Sequence, residues 1–139
     1  MTSEDVKFSL QRNIGKRSTT GYAGPLRALI QDIETPAPDR VVIVTKEPTL
    51  IIPTYLSRSL STEGMVTPKK YIESVGDDVF ARKPIGSGPY KFVEQVTGSH
   101  IKLEAMPTHW RTGTPKYKTM VFRLVPMEIP SLDALMLPP

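Results

Sequence analysis

Apolar residues recur along this chain in two rhythms, one helical and one strand-like, and together they divide it into many short elements. Val6, Leu10 and Ile14 stand at i, i+4 and i+8, which predicts a short amphipathic helix over residues 3–13. Thr2 is its N-cap, Glu4 and Asp5 set negative charge against the positive end of the helix dipole, and Gly15 ends it. Residues 15–24 are polar and glycine-rich and read as a loop. Pro25 then opens one helical turn carrying Leu26, Leu29 and Ile30. From Ile30 to Thr35 the alternation is imperfect, because Ile33 falls out of step with Asp32 and Glu34. Arg40 to Lys46 is rich in β-branched residues and predicts a strand. With a turn at Pro36–Asp39, the two stretches are expected to pair antiparallel.

Pro48 at a first helical position predicts a short helix over Thr49–Arg58, interrupted by Pro53. Thr67 and Pro68 read as cap and first residue of a helix with Tyr71, Ile72 and Val75 on its apolar face and Gly76 as its stop. Asp77 to Arg82 adds one more turn before Pro84. Tyr90, Phe92 and Val96, then Ile101, Leu103 and Ala105, alternate on either side of Thr97-Gly98-Ser99. That pattern predicts a hairpin with Phe92 and Leu103 among its buried positions. Gly86, Gly88, Pro89 and Tyr90 read as a structural turn leading into the hairpin. At least one of the two glycines is expected to need a positive φ or a close backbone approach. A loop over Pro107–Pro115 carries His109 and Trp110, Met120 to Val125 reads as a strand, and Ser131 to Leu137 as a short helix. The sum is a mixed α/β domain of short helices and an antiparallel hairpin.

Composition narrows the function classes. A length of 139 residues suits one domain, and 39% hydrophobic with 23% charged residues fits a globular chain. Fourteen prolines, scattered, mark element ends and irregular connections, not a polyproline linker. The longest apolar runs, such as Val41–Val44, fall far short of the ~20 residues of a membrane span. The net charge of +4 is carried by isolated pairs such as Lys16-Arg17 and Lys69-Lys70, with acidic residues beside most of them. No nucleic-acid partner is therefore expected.

Sites of chemistry are sought in vain. With no cysteine there is no disulfide, thiolate metal site or Cys nucleophile, and His100 and His109 show no ligand spacing, so neither a metal nor a cofactor is expected. Ser87 lies between Gly86 and Gly88, but the nucleophile-elbow spacing is absent and Pro89 opposes the helix that should follow. No enzyme activity is expected.

Five blocks in order carry a resemblance. Thr2-Ser-Glu-Asp-Val-Lys-Phe-Ser-Leu-Gln-Arg12 resembles the opening helix "T-A-E-D-V-x-F-S-x-x-R" of the family 5 extracellular solute-binding proteins of ABC importers, the oligopeptide-, dipeptide- and nickel-binding type. Val66-Thr-Pro-Lys-Lys-Tyr-Ile72 resembles their "V-P-K-K-Y-I", and Pro84-Ile-Gly-Ser-Gly-Pro-Tyr-Lys-Phe92 their "P-V-G-T-G-P-Y-K-F". Ile101 to Trp110 and Val121 to Pro126 are similar to "I-x-L-E-A-N-P-x-Y-W" and "V-x-F-R-I-I-P". The tail from Ile129 to Pro139 departs from the family pattern, keeping only Asp133-Ala-Leu of it.

The resemblance implies a fragment of a two-lobed periplasmic-binding-protein fold of type II-like architecture, here part of the first lobe, excised from a longer protein. No internal boundary stands out; the candidate for a sub-lobe switch lies near residues 84–89. It also implies a receptor that captures peptides or similar small solutes on the periplasmic or extracellular side and delivers them to membrane permease subunits. The stretch from Ser61 to Met65 is the segment expected to line the cleft, with Ser61, Thr62 and Glu63 as ligand-binding residues. The isolated fragment is expected to fold only partially, or to cover unsatisfied lobe surface as an oligomer. Two readings from other classes compete: a small serine hydrolase using Ser87, and a free-standing interaction domain for anionic surfaces.

Overall fold

The Val6–Leu10–Ile14 stripe turns inward on α1 (Ser3–Ile14) and forms one wall of the main core. The computed structural model describes residues 1–57, 62–111 and 113–124. It divides into two compact units, the first running from Met1 to Ala81 and the second beginning at Arg82.

In the first unit, α1 is followed by α2 (Ala23–Leu29), the strands β1 (Ile30–Ala37) and β2 (Arg40–Thr45), then α3 (Ile52–Tyr55), α4 (Lys69–Val75) and all but the last residue of α5 (Asp77–Arg82). Leu10, Leu26, Ile30, Ile33 and Ile52 form the buried cluster, with Val6, Ile14, Val41 and Ile43 packed against it. The helix opened near Pro25 is longer than one turn: it starts at Ala23, where Ala23 and Leu26 are buried. Arg27 of α2 reaches back to the end of α1. Its Nε donates to the Ile14 carbonyl and its guanidinium NH2 group to that of Gly15, both at 2.7 Å, satisfying acceptors that a helix end leaves unpaired.

β1 and β2 pair antiparallel, with Ile33 opposite Ile43. The irregular alternation of β1 has a physical cause. The register shifts between Ile30 and Asp32, so an extra residue lets Ile30 and Ile33, three apart, both point into the core. The predicted helix over Thr49–Arg58 shrinks to the single turn Ile52–Tyr55 among the described residues. Pro53 sits in its first turn, where a missing N–H costs nothing, so it opens the helix and does not interrupt it. The next helix starts one residue later than predicted: Pro68 is the N-cap, not Thr67. Gly76 closes it with φ of +82°, the left-handed conformation that glycine tolerates best.

The second unit contains one three-stranded antiparallel sheet, β3 (Tyr90–Val96), β4 (His100–Ala105) and β5 (Thr119–Arg123), in that order. The hairpin turn is where the alternation places it, with Gly98 at φ +74°. Phe92 pairs with Leu103 and Leu103 with Met120, but Phe92 and Leu103 are only half-buried, and Phe122 beside Ile101 is 56% exposed. The expectation that Phe92 and Leu103 are buried fails because, among the described residues, no element packs over this apolar face with the density that β1 and β2 receive in the first unit. The helix predicted over Ser131–Leu137 lies outside the described residues.

Candidate functional site

Three polar residues on α1, Asp5, Ser9 and Asn13, follow each other at i, i+4 and i+8 and so share one face of the helix. Each binds the same returning stretch of chain. Asn13 Nδ2 donates to the Glu63 carbonyl at 2.8 Å. Ser9 Oγ accepts the Thr67 N–H at 2.8 Å, lies 3.0 Å from the Thr67 hydroxyl and donates to the Asp5 carbonyl at 2.7 Å. The Asp5 carboxylate accepts the Lys69 N–H through Oδ1 at 3.0 Å and the Thr2 N–H through Oδ2 at 2.8 Å. One carboxylate thus serves the first turns of both α1 and α4, where backbone N–H groups lack helical partners. The result is a polar ladder that lays residues 63–69 antiparallel along α1.

Electrostatics reinforce the lower rungs. Burial pushes the Asp5 carboxyl up, but the N–H bonds from Thr2 and Lys69 outweigh it and hold the group below its ordinary value of 3.8. Glu4 is lowered from 4.5, first by the hydrogen bond from the Thr35 hydroxyl and then by Lys69, whose Nζ lies 3.1 Å from Glu4 Oε2. That same bond to Glu4 raises the Lys69 ammonium above 10.5.

The segment that the sequence nominates for ligand contact begins this ladder. Ser61 lies outside the described residues. Thr62 is exposed, whereas Glu63 is 1% exposed. Its carboxylate Oε1 accepts the Tyr22 N–H at 2.6 Å, tying the segment to the start of α2, and the Tyr22 ring stacks on Tyr55 with centroids 4.8 Å apart. Gly64 is held against the backbone of Leu56, where a Cβ would overlap the carbonyl oxygen. Met65 follows at 52% exposure. Against the segment lies a cavity of about 170 Å³ lined by Val6, Leu10, Val41, Ile43 and Leu56 together with Glu63 and Met65 of the segment itself. Thr62 and Met65 are therefore the exposed groups of the segment, Met65 standing at the cavity's edge, and Glu63 is the buried one.

Sequence reasoning picked the apolar stripe of α1 and missed the polar one beside it. The signal was present: Asp5, Ser9 and Asn13 carry the same spacing as Val6, Leu10 and Ile14, one position earlier.

In the second unit, Gly86 and Gly88 depart from expectation. The described glycines with positive φ are Gly76, Gly98 and Gly113; a Cβ at Gly86 would meet open space, and one at Gly88 ordinary contact with the Tyr90 carbonyl at 4.0 Å. The close backbone approach belongs to Gly64 instead. Pro89 and Tyr90 lead from a bend into β3, with both half-buried. Ser87 is exposed, and its carbonyl oxygen, not its hydroxyl, is 2.9 Å from His109 Nε2. A carbonyl only accepts, so Nε2 carries the proton and does not act as a base toward this serine. His109 and Gly113 exchange two backbone hydrogen bonds of 2.8 Å, closing a small loop that carries Trp110 at 81% exposure. Among the described residues no cluster of side chains is suited to hold a metal ion, and no helix is long and apolar enough to cross a membrane.

A family model described as bacterial extracellular solute-binding proteins, family 5 middle, matches residues 1–137. The chain belongs to this family. A candidate ABC transporter peptide-binding protein of Brucella ovis is 32% identical over 129 residues, covering 88% of this chain and 23% of the relative. Among solved structures, the binding protein MoaA from A. tumefaciens R10, in complex with mannopinic acid, aligns with a TM-score of 0.77 at 30% identity over 90% of this chain and 24% of its own. The oligopeptide-binding protein AppA of Bacillus subtilis, in complex with a nonapeptide, aligns at 0.70 and 25% identity over 91% of this chain and 25% of its own. The fold is accordingly that of a fragment of a two-lobed periplasmic binding protein, and the chain spans about a quarter of the length of these family 5 relatives.

Proposed function

We propose that this chain is part of the first lobe of the substrate-binding component of an ABC importer. It captures peptides or similar small solutes outside the cytoplasmic membrane for delivery to permease subunits. The observation that carries this reading is the family match over residues 1–137, supported by the fold shared with MoaA and AppA. In such a receptor the ligand is held by two lobes that close on it, and closure needs contacts made only in the closed state. Within this chain the groups we assign to ligand are those of the segment over residues 61–65, in which Thr62 and Met65 are exposed. The reading involves no bond-making step, and Ser87 has no part in it.

Native mass spectrometry of the family-length protein, after incubation with a mixed library of di- to oligopeptides, tests the proposal. Retention of peptide masses supports it. A protein that retains none of the library, while remaining folded, contradicts it.

A further inference from the structure

The segment over residues 62–66 has two characters at once. Thr62 and Met65 are exposed, yet the residue between Thr62 and Gly64 is the most deeply buried acidic side chain among the described residues. A buried carboxylate is costly unless its hydrogen bonds hold it in place. Here Glu63 uses both its ends: the side chain accepts the Tyr22 N–H at 2.6 Å and the main-chain carbonyl accepts from Asn13 Nδ2 at 2.8 Å. These two anchors lie on different elements, the start of α2 and the end of α1. Gly64 immediately beyond sits so close to the Leu56 backbone that no other residue fits without movement. The Met65 N–H donates to the Thr62 carbonyl at 3.0 Å, folding the four residues into a turn over the anchor. The ladder through Thr67 and Lys69 then pins the far side.

We infer that Glu63 is a positioning residue for solute binding: it fixes the turn over residues 62–65 so that the exposed Thr62 and Met65 are held at the surface as preformed contacts for the cargo. This inference rests on the proposed solute-binding role. It changes the part assigned to Glu63, from a group that touches the ligand to one that acts through its neighbours. Preorganisation is what such an anchor supplies, because a loop ordered before binding does not have to lose its freedom on binding. An exposed methionine is apt for the contact, since its flexible and polarizable side chain adapts to varied apolar groups.

The experiment has two arms. In the chain itself, amide hydrogen exchange is followed at Tyr22 and Met65 in wild type, Glu63→Gln and Glu63→Ala. In the family-length protein, binding of the peptide library is titrated for the same variants, for Met65→Ala, and for Ile33→Val, a core change distant in kind that lowers stability without touching the segment. Glu63→Ala is expected to speed exchange at both amides and weaken peptide binding at least tenfold. Glu63→Gln, which keeps an acceptor for the Tyr22 N–H, is expected to stay within about threefold of wild type. Met65→Ala is expected to weaken binding without changing exchange at Tyr22, and Ile33→Val to lower the Tm with binding unchanged. Wild-type binding that persists within twofold in Glu63→Ala overturns the inference, as does an equal loss in Ile33→Val. A wild-type protein that binds no peptide overturns the solute-binding reading itself, and the inference with it.

Discussion

Ser9 Oγ lies 2.8 Å from the Thr67 backbone nitrogen and accepts its proton, joining the middle of α1 to the chain just before α4, 58 residues later. Ser9 is 2% exposed, so water does not replace the bond if the hydroxyl is removed. Ser9→Ala leaves the Thr67 N–H without this acceptor and is expected to destabilise the chain by about 1–3 kcal/mol. Denaturant unfolding of wild type and variant checks it. A change below ~0.5 kcal/mol, the usual range for surface substitutions, would show that the ladder contributes little.

Gly64 and Gly86 make a matched pair. A Cβ on Gly64 runs into the Leu56 backbone, whereas one on Gly86 meets nothing within 4 Å. Gly64→Ala should therefore cost more than the ~1 kcal/mol typical of point mutants, and Gly86→Ala should stay within about 0.5 kcal/mol of wild type. Thermal melts of the two variants side by side decide it, and the opposite order would refute the backbone geometry described for the segment.

Acid should loosen the same region. The Asp5 carboxyl is held below its ordinary value of 3.8, so its contribution to stability is complete above that value and is lost as the pH falls through the lowered value in the folded chain. Glu4 acts in the same direction below 4.5, while Lys69, raised above 10.5, contributes below that value and loses its contribution as the pH rises through its own folded pKa. The Glu4–Lys69 pair is solvent-exposed and screened by salt, which leaves Asp5 as the main term. Asp5→Asn is expected to lower stability at neutral pH and to flatten its fall below 3.8, read from denaturation midpoints across the acid range. An unchanged acid limb in the variant would remove Asp5 from the account.

The fold was legible where one periodicity ruled a segment. Val6, Leu10 and Ile14 announced α1 and its buried side, and the alternation around Thr97-Gly98-Ser99 announced the β3–β4 hairpin. It was less legible where tertiary contacts altered a local rule. The extra residue in β1 is absorbed because Ile30 and Ile33 both gain burial, and no local pattern announces that. Pro53 reads as a breaker in the sequence because its place relative to the helix start is set only by the folded chain. Thr62 and Glu63 show the same limit at the site. Adjacent and both polar, they read alike in sequence, yet one faces solvent and the other is buried. The difference comes from a Tyr22 N–H that lies 41 residues away along the chain. The positions of Gly86 and Gly88 invited a backbone role that the chain gives to Gly64, whose partner, Leu56, becomes its neighbour only after folding.

In the proposed function this chain supplies part of one lobe of a two-lobed solute receptor, and capture needs the rest. Calorimetric titration with di- to oligopeptides, this chain beside the family-length protein, tests it most directly. Millimolar or weaker dissociation constants are expected for the chain alone, about −4 kcal/mol or less favourable, with far tighter binding by the family-length protein. Saturable micromolar binding by the chain alone would contradict it.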